Sequence, residues 1–163
     1  DIGKMESGTM RFDMKVMPVS KMLHQAVELN KAYGDKYDVR FTVIDHAPSA
    51  QISVDPNRFN QVISNLLSNA AKFSAAGTTV TVTATTSDND TLRVAVKDTG
   101  PGIPEDFKDK IFQKFSQAAH DKPGTGLGLN ITKTLVEKMN GTIRFESTPG
   151  AGATFFVEFP LVK

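Results

Sequence analysis

Apolar residues recur along this chain with two different periods, and the switches between them divide it into elements. From Pro18 onward, Met22, Leu23, Ala26, Val27 and Leu29 fall at threes and fours, which predicts a helix ending near Gly34. Ahead of it, alternation over Arg11 to Val16 predicts an edge strand, and DIGKMESG reads as the last turn of an earlier helix stopped by Gly8. VRFTVID and QISV read as strands. Asp55-Pro56 then opens a longer helix through NRFNQVISNLLSNAAKFS, with the aspartate as N-cap and the proline in the first helical position. TTVTVTATT and TLRVAVKD alternate on either side of SDND and predict a hairpin. Glu105 to Phe115 reads as a short helix, and Leu127 to Met139 as another that ends before Asn140-Gly141. GTIRFES and ATFFVEF, joined by TPGAG, predict a closing hairpin. Helices and hairpins are mixed rather than strictly alternating. The fold class expected is α+β, two layers, with a mixed, mainly antiparallel sheet covered on one face by helices.

Composition narrows the function. At 163 residues the chain is most simply one domain that buries a core without staples. Lys+Arg 19 against Asp+Glu 18 leaves a net charge of +1, so no long-range field favours nucleic acid or a membrane surface. The absence of cysteine excludes disulfides, thiolate nucleophiles and Cys-based zinc sites. No apolar run approaches a membrane span, and DIGKMESGTM lacks a signal-peptide pattern. The expectation is a cytoplasmic, soluble chain, including the case of a fragment whose parent is anchored elsewhere.

Three segments carry candidate chemistry. In HDKPGTGLGLN, Gly124, Gly126 and Gly128 occupy alternate positions directly before a helical pattern, where free N–H groups suit phosphate. Neither common phosphate motif fits: a dinucleotide fingerprint needs a final glycine where Leu129 stands, and no P-loop is present. On the helix from Asp55, Phe59, Ile63, Leu66, Leu67 and Ala70 form the apolar stripe, with Asn65, Asn69 and Lys72 together beside it and Phe73 on the border. That polar line is either an ordinary wet face or a place where amide oxygens meet Mg²⁺ and an ammonium meets phosphate. In VKDTGPGIP, a period of two puts Asp98 on the face of Leu92, Val94 and Val96, unless the strand has already ended and Asp98 starts a turn. A carboxylate aimed at a core needs a donor, and an adenine amino group is a suitable one. Gly100 and Gly102 would let a flat ligand come close to the backbone. Phe112 and Phe115 are spaced as a core pair.

The order of these pieces resembles the catalytic and ATP-binding domain of sensor histidine kinases. That family has a Bergerat-type fold, in a superfamily shared with type II topoisomerases, a class of chaperones and mismatch-repair ATPases. NQVISNLLSNAAKFS is similar to its N box, DTGPGI to its first glycine box, FQKFSQ to its F box, GTGLGL to its second glycine box and TPGAGATFFVEFP to its last glycine segment. The likeness runs from about Arg11 to the end of the chain.

What the resemblance implies can be placed on residues. Asn69 would coordinate Mg²⁺ beside Asn65, with Lys72 on phosphate, these three forming the catalytic set. Phe73 would stack near adenine, and Asp98 would bind its exocyclic amine, with Thr154 supporting a water there. Gly100, Gly102 and Ile103 would shape the adenine pocket. Gly124, Thr125, Gly126, Leu127, Gly128 and Leu129 would hold the triphosphate beneath a lid spanning about 116–123, and Phe115 would anchor that lid. Gln117 departs from the arginine that many members carry there, and it brings no charge. The acceptor histidine of such kinases lies on a separate helical hairpin. His24, His46 and His120 are in no such context. Residues 1–9 are therefore expected to be the end of that hairpin and 10–163 the catalytic domain. The implied partners are ATP or ADP, the parent's acceptor hairpin and a response-regulator receiver domain, without nucleic acid or direct membrane contact, and with the fragment monomeric. The rival readings are an ATP-hydrolysing clamp, which would need a glutamate base where Asn65 stands, and a nucleotide-binding module without catalysis.

Overall fold

The computed structural model describes residues 11–103, 105–113 and 127–163. Among them, a five-stranded sheet is formed by β2 (Val39–Asp45), β4 (Thr78–Ser87), β5 (Thr91–Lys97), β6 (Thr142–Thr148) and β7 (Gly152–Pro160). Its order is β2-β4-β5-β7-β6, parallel only between β2 and β4 and antiparallel elsewhere. Helices α1 (Val19–Leu29), α3 (Pro56–Phe73) and α4 (Leu127–Lys138) cover one face, and the short α2 (Lys31–Lys36) leads into β2. The expected two-layer, mainly antiparallel architecture is the one observed.

Alternation decides which side chains meet the helices. Val80, Val82 and Ala84 on β4, Leu92, Val94 and Val96 on β5, and Val157 and Phe159 on β7 all point inward and are buried. They pack on the stripe of α3, where Phe59, Ile63 and Leu67 are fully buried, and Phe59 meets Phe159 at 5.8 Å between ring centroids. Each such side chain contributes about 1.5–3 kcal/mol by leaving water. On the uncovered face, Phe156 is shielded by Arg144 and Arg93, 4.2 and 5.2 Å from its ring centroid, and Glu158 pairs with both arginines. Cation–π contact and ion pairing thereby keep an outward aromatic from being a bare apolar surface.

Helix α3 starts where the sequence sets it. The Asp55 carboxylate accepts from the N–H groups of Asn57 and Arg58 at 2.9 and 3.2 Å, and also from Asp13 N–H at 2.8 Å. The last bond pins the N-terminal segment across the helix entrance.

Several boundaries differ from the sequence reading. Residues 11–14 form no strand; β1 is Lys15–Pro18, and it pairs antiparallel with β3 (Gln51–Val54) as a separate two-stranded sheet. The helix expected to end near Gly34 breaks at Asn30, whose amide donates to the Ala26 carbonyl and to Ser64 Oγ. Leu29, counted in the apolar stripe, is 71% exposed. The helix expected over Glu105–Phe115 is a 3-10 stretch, Glu105–Lys110. The expected end of a preceding helix in residues 1–9 lies outside the described residues.

Candidate functional site

Asp98 follows the last residue of β5 and keeps to the inward face, with only 7% of its surface exposed. Its Oδ1 accepts two backbone donors, Gly100 N–H at 3.0 Å and Ala153 N–H at 3.1 Å. No described residue donates to Oδ2. Burial pushes the carboxyl pKa up, and the two N–H bonds pull it partly back. The result is a carboxylate with one oxygen held by two main-chain N–H groups and one that no described residue engages.

The glycines around it are required by packing of the chain on itself. A Cβ on Gly100 would collide with the Phe73 carbonyl at the end of α3, and one on Gly152 with the Asp98 carbonyl. Gly102 has φ +82° and lies against β6, where a Cβ would come 2.8 Å from the Thr148 carbonyl. Gly100 and Gly102 are expected from the sequence to make room for a ligand; what the structure shows is a packing requirement. They let α3, β6 and β7 close around Asp98. Phe73 itself is half-buried at this junction.

One turn and two turns back along α3 lie Asn69 and Asn65. The Asn65 amide donates to Thr132 Oγ1 of α4 at 3.1 Å, and Thr132 in turn donates to the Gly128 carbonyl at 2.7 Å. The amide of Asn69, half-buried, makes no hydrogen bond with any described residue. Lys72, also half-buried, follows within one turn. An uncommitted amide oxygen next to an ammonium is a donor set for a hard divalent cation and its phosphates. No group of three or more acidic or histidine residues that could hold a metal alone exists among the described residues. Such an ion would therefore need a ligand's own oxygens.

Ile103 is buried in a small cluster with Ile111 and Ala153, against which Leu129 also packs. Phe112 lies edge-on to Phe145 and Phe155 at 5.9 and 6.2 Å, so this member of the aromatic pair is a packing residue. Phe115, Gln117, Gly124, Thr125, Gly126 and the expected lid lie outside the described residues, and of Leu127 and Gly128 the helix start is described.

One assignment is corrected. Thr154 pairs with Lys97 and with Glu146, on the sheet face away from the helices, whereas Asp98 faces them. Strand alternation puts Ala153, not Thr154, beside the carboxylate. Sequence reasoning also missed two polar residues. Ser147 Oγ accepts the Ile103 N–H at 2.6 Å and so ties the loop after Asp98 to β6. Thr132, fully buried, joins α3 to the start of α4. Both carry a signal in hindsight, a hydroxyl within a buried period: Ser147 after Ile143 and Phe145, Thr132 before Leu135, Val136 and Met139.

The sequence profile described as Histidine kinase-, DNA gyrase B-, and HSP90-like ATPase matches residues 54–163. The chain belongs to that family. Within it, Sensor protein GacS of Pseudomonas syringae pv. syringae is 35% identical over 172 residues, covering 100% of this chain and 19% of its own length. Signal transduction histidine-protein kinase BarA of Escherichia coli (strain K12) is 34% identical over 170 residues, covering 99% of this chain and 18% of its own. The chain thus spans about a fifth of the length of these curated relatives. Full-length ShkA, solved in complex with AMPPNP, superposes with a TM-score of 0.86 at 29% identity, covering 99% of this chain and 34% of ShkA. The catalytic domain of histidine kinase ThkA does so at 0.78 with 28% identity, over 93% of this chain and 96% of its own. As a family member, the chain has the fold of histidine kinase ATP-binding domains over nearly its whole described length.

No helix of the described residues is long and apolar enough to cross a membrane.

Proposed function

We propose that this domain binds Mg²⁺-ATP and donates the γ-phosphoryl group to a histidine on a separate acceptor domain, for relay to a response-regulator receiver. The observation that carries this reading is the Asp98 carboxylate, buried, fixed through Oδ1 by two backbone N–H groups, with Oδ2 left as an acceptor. An adenine exocyclic amine supplies the donor that such a group needs. Asn69, one helical turn before Phe73, and Lys72, directly before it, suit the metal and phosphates of the same nucleotide. Gly128, at the start of α4, supplies the helix N-terminus at which phosphate binding is favourable.

In this reading the domain contributes position and charge neutralisation, the terms that dominate phosphoryl transfer. The bond between the γ-phosphorus and the β,γ-bridging oxygen breaks, and one between that phosphorus and an acceptor imidazole nitrogen forms. ADP leaves, and the proton on the other ring nitrogen is taken up by a neighbouring carboxylate of the acceptor domain. His24 and His46 are exposed, and His24 is engaged with the Ser20 carbonyl, so neither is assigned the acceptor role. The test is radiolabelled ATP with this chain and a separately supplied acceptor hairpin from the parent protein. Label on the hairpin's histidine is expected. Nucleotide binding without any transfer would instead support a binding module.

A further inference from the structure

A chain of three hydrogen-bonding groups joins α3 to the start of α4, and its proton order fixes the direction of one amide. Thr132 has no exposed surface and lies in the buried stripe of α4. Its Oγ1 is 2.7 Å from the Gly128 carbonyl oxygen and 3.1 Å from Asn65 Nδ2. A hydroxyl has a single proton, and a carbonyl only accepts, so that proton belongs to Gly128. Toward Asn65 the hydroxyl then offers lone pairs alone. The amide must present Nδ2 to it, because the flipped amide would set two oxygens against each other with no proton between them. Asn65 Oδ1 is thereby turned away from α4 and takes no hydrogen bond from any described residue.

We propose that Thr132 is a positioning residue: its hydroxyl holds the Asn65 amide so that an oxygen, rather than an N–H, is offered to the ligand. This deepens the nucleotide-binding reading and rests on it. An oxygen suits a divalent cation or the water on it, and repels phosphate oxygens, so Asn65 serves the metal side of the site. The same hydroxyl couples that orientation to the backbone of Gly128. Movement of the Gly128 carbonyl away from Thr132 would remove the proton's acceptor and free the amide to turn.

The test has two arms. In nitrogen-15 spectra of the chain without nucleotide, the Asn65 side-chain NH₂, assigned by its loss in Asn65→Asp, is expected to be protected from hydrogen exchange. Thr132→Ser should keep that protection and Thr132→Val should abolish it. By calorimetry, Thr132→Val should cut the Mg²⁺ enhancement of ATP affinity about fivefold to tenfold, the size expected for one lost hydrogen bond. Its Mg²⁺-free affinity should stay within about twofold of native, and Thr132→Ser should restore the enhancement. An unprotected Asn65 amide in the native chain overturns the proposal, even where Thr132→Val fails to fold. Equal losses with and without Mg²⁺ also overturn it, since they mark a purely structural hydroxyl. Failure of the native chain to bind ATP would count against the nucleotide reading, while the exchange data still decide the amide.

Discussion

Asp98 and Ala153 form a reciprocal backbone-anchored pair: Ala153 N–H donates to Asp98 Oδ1 at 3.1 Å, and Asp98 N–H donates to the Ala153 carbonyl at 2.9 Å. The carboxylate is therefore aimed by main chain from 55 residues away, not by a rotatable side chain. The other oxygen takes no donor from any described residue, and the proposed reading gives it to a purine that donates.

Adenine presents an amino group where guanine presents a carbonyl, so ATP should bind far better than GTP. Asp98→Asn keeps an oxygen for the Gly100 and Ala153 donors and puts an NH₂ in place of Oδ2. That donor opposes an adenine amine and suits a guanine oxygen. The ATP-to-GTP affinity ratio should fall by about tenfold or more, the worth of one hydrogen bond to a charged group. Competition binding with both nucleotides measures it; an unchanged ratio would remove Asp98 from base selection.

The same substitution should act in the opposite sense on the empty protein. The folded pKa of Asp98 is raised by burial, so the folded chain holds that proton more tightly than the unfolded chain. Across the window from the ordinary carboxylate value up to the raised one, this group's contribution to stability falls as pH rises. Asp55 has the reverse sign. Burial alone would raise it, but N–H bonds from Asp13, Arg58 and Asn57 hold it below the ordinary value, so its contribution is lost as pH falls through the folded pKa. Asp98→Asn should thus raise the Tm of the nucleotide-free chain near pH 7, and the gain should vanish in acid. A Tm difference that is flat across this range would contradict the assignment.

Legibility of the site followed periodicity. Asp98 could be placed inward because Leu92, Val94 and Val96 set the phase, and α3 could be bounded because Asp55-Pro56 caps it. What escaped depended on pairing between distant segments. The family pattern points to Thr154 for the water beside Asp98, but register with Lys97 and Glu146 puts Thr154 on the other face. No local pattern encodes which of two adjacent residues lies opposite a given partner. At the break, Asn30 donates to Ser64 of another helix, and Thr132 accepts from Asn65, contacts invisible until the helices pack.

Two glycines of the β6–β7 connection should respond differently to alanine. Gly150 and Gly152 both have positive φ, +82° and +92°, so each substitution carries backbone strain. At Gly150 a Cβ meets nothing within 4 Å, whereas at Gly152 it collides with the Asp98 carbonyl. Gly152→Ala should therefore be less stable than Gly150→Ala by about 1–3 kcal/mol, the cost of overpacking. It should also weaken ATP binding, because the strand must move off Asp98. Urea denaturation of both variants measures the difference, and equal midpoints would show that the strand yields freely.

Asn69→Ala should remove the metal's share of nucleotide affinity and spare adenosine recognition, since Asp98 and the Gly100 loop are untouched. The motive is the uncommitted amide of Asn69 beside Lys72. Titrations with and without Mg²⁺ separate the two contributions. The same loss in both conditions would mean that Asn69 supports the pocket rather than the ion.

The chain by itself should bind ATP and barely hydrolyse it. Hydrolysis needs a group to take a proton from the attacking water, and the clamp-type readings require a carboxylate where this chain has Asn65. An amide has no basic lone pair near neutral pH, and the nitrogen of this one is already spent on Thr132. Asp98 is not a substitute: its Oδ1 is held by Gly100 and Ala153 N–H groups, and the proposed reading assigns its other oxygen to the base. With no activated water and no suitably placed histidine among the described residues, the terminal phosphate lacks a competent nucleophile. Supplying the acceptor hairpin should start transfer to its histidine while phosphate release stays low. A steady-state phosphate-release assay on the purified chain decides between the two chemistries. Turnover on the order of once per second, ordinary for an enzyme, would make this an ATPase and require a base other than any named here.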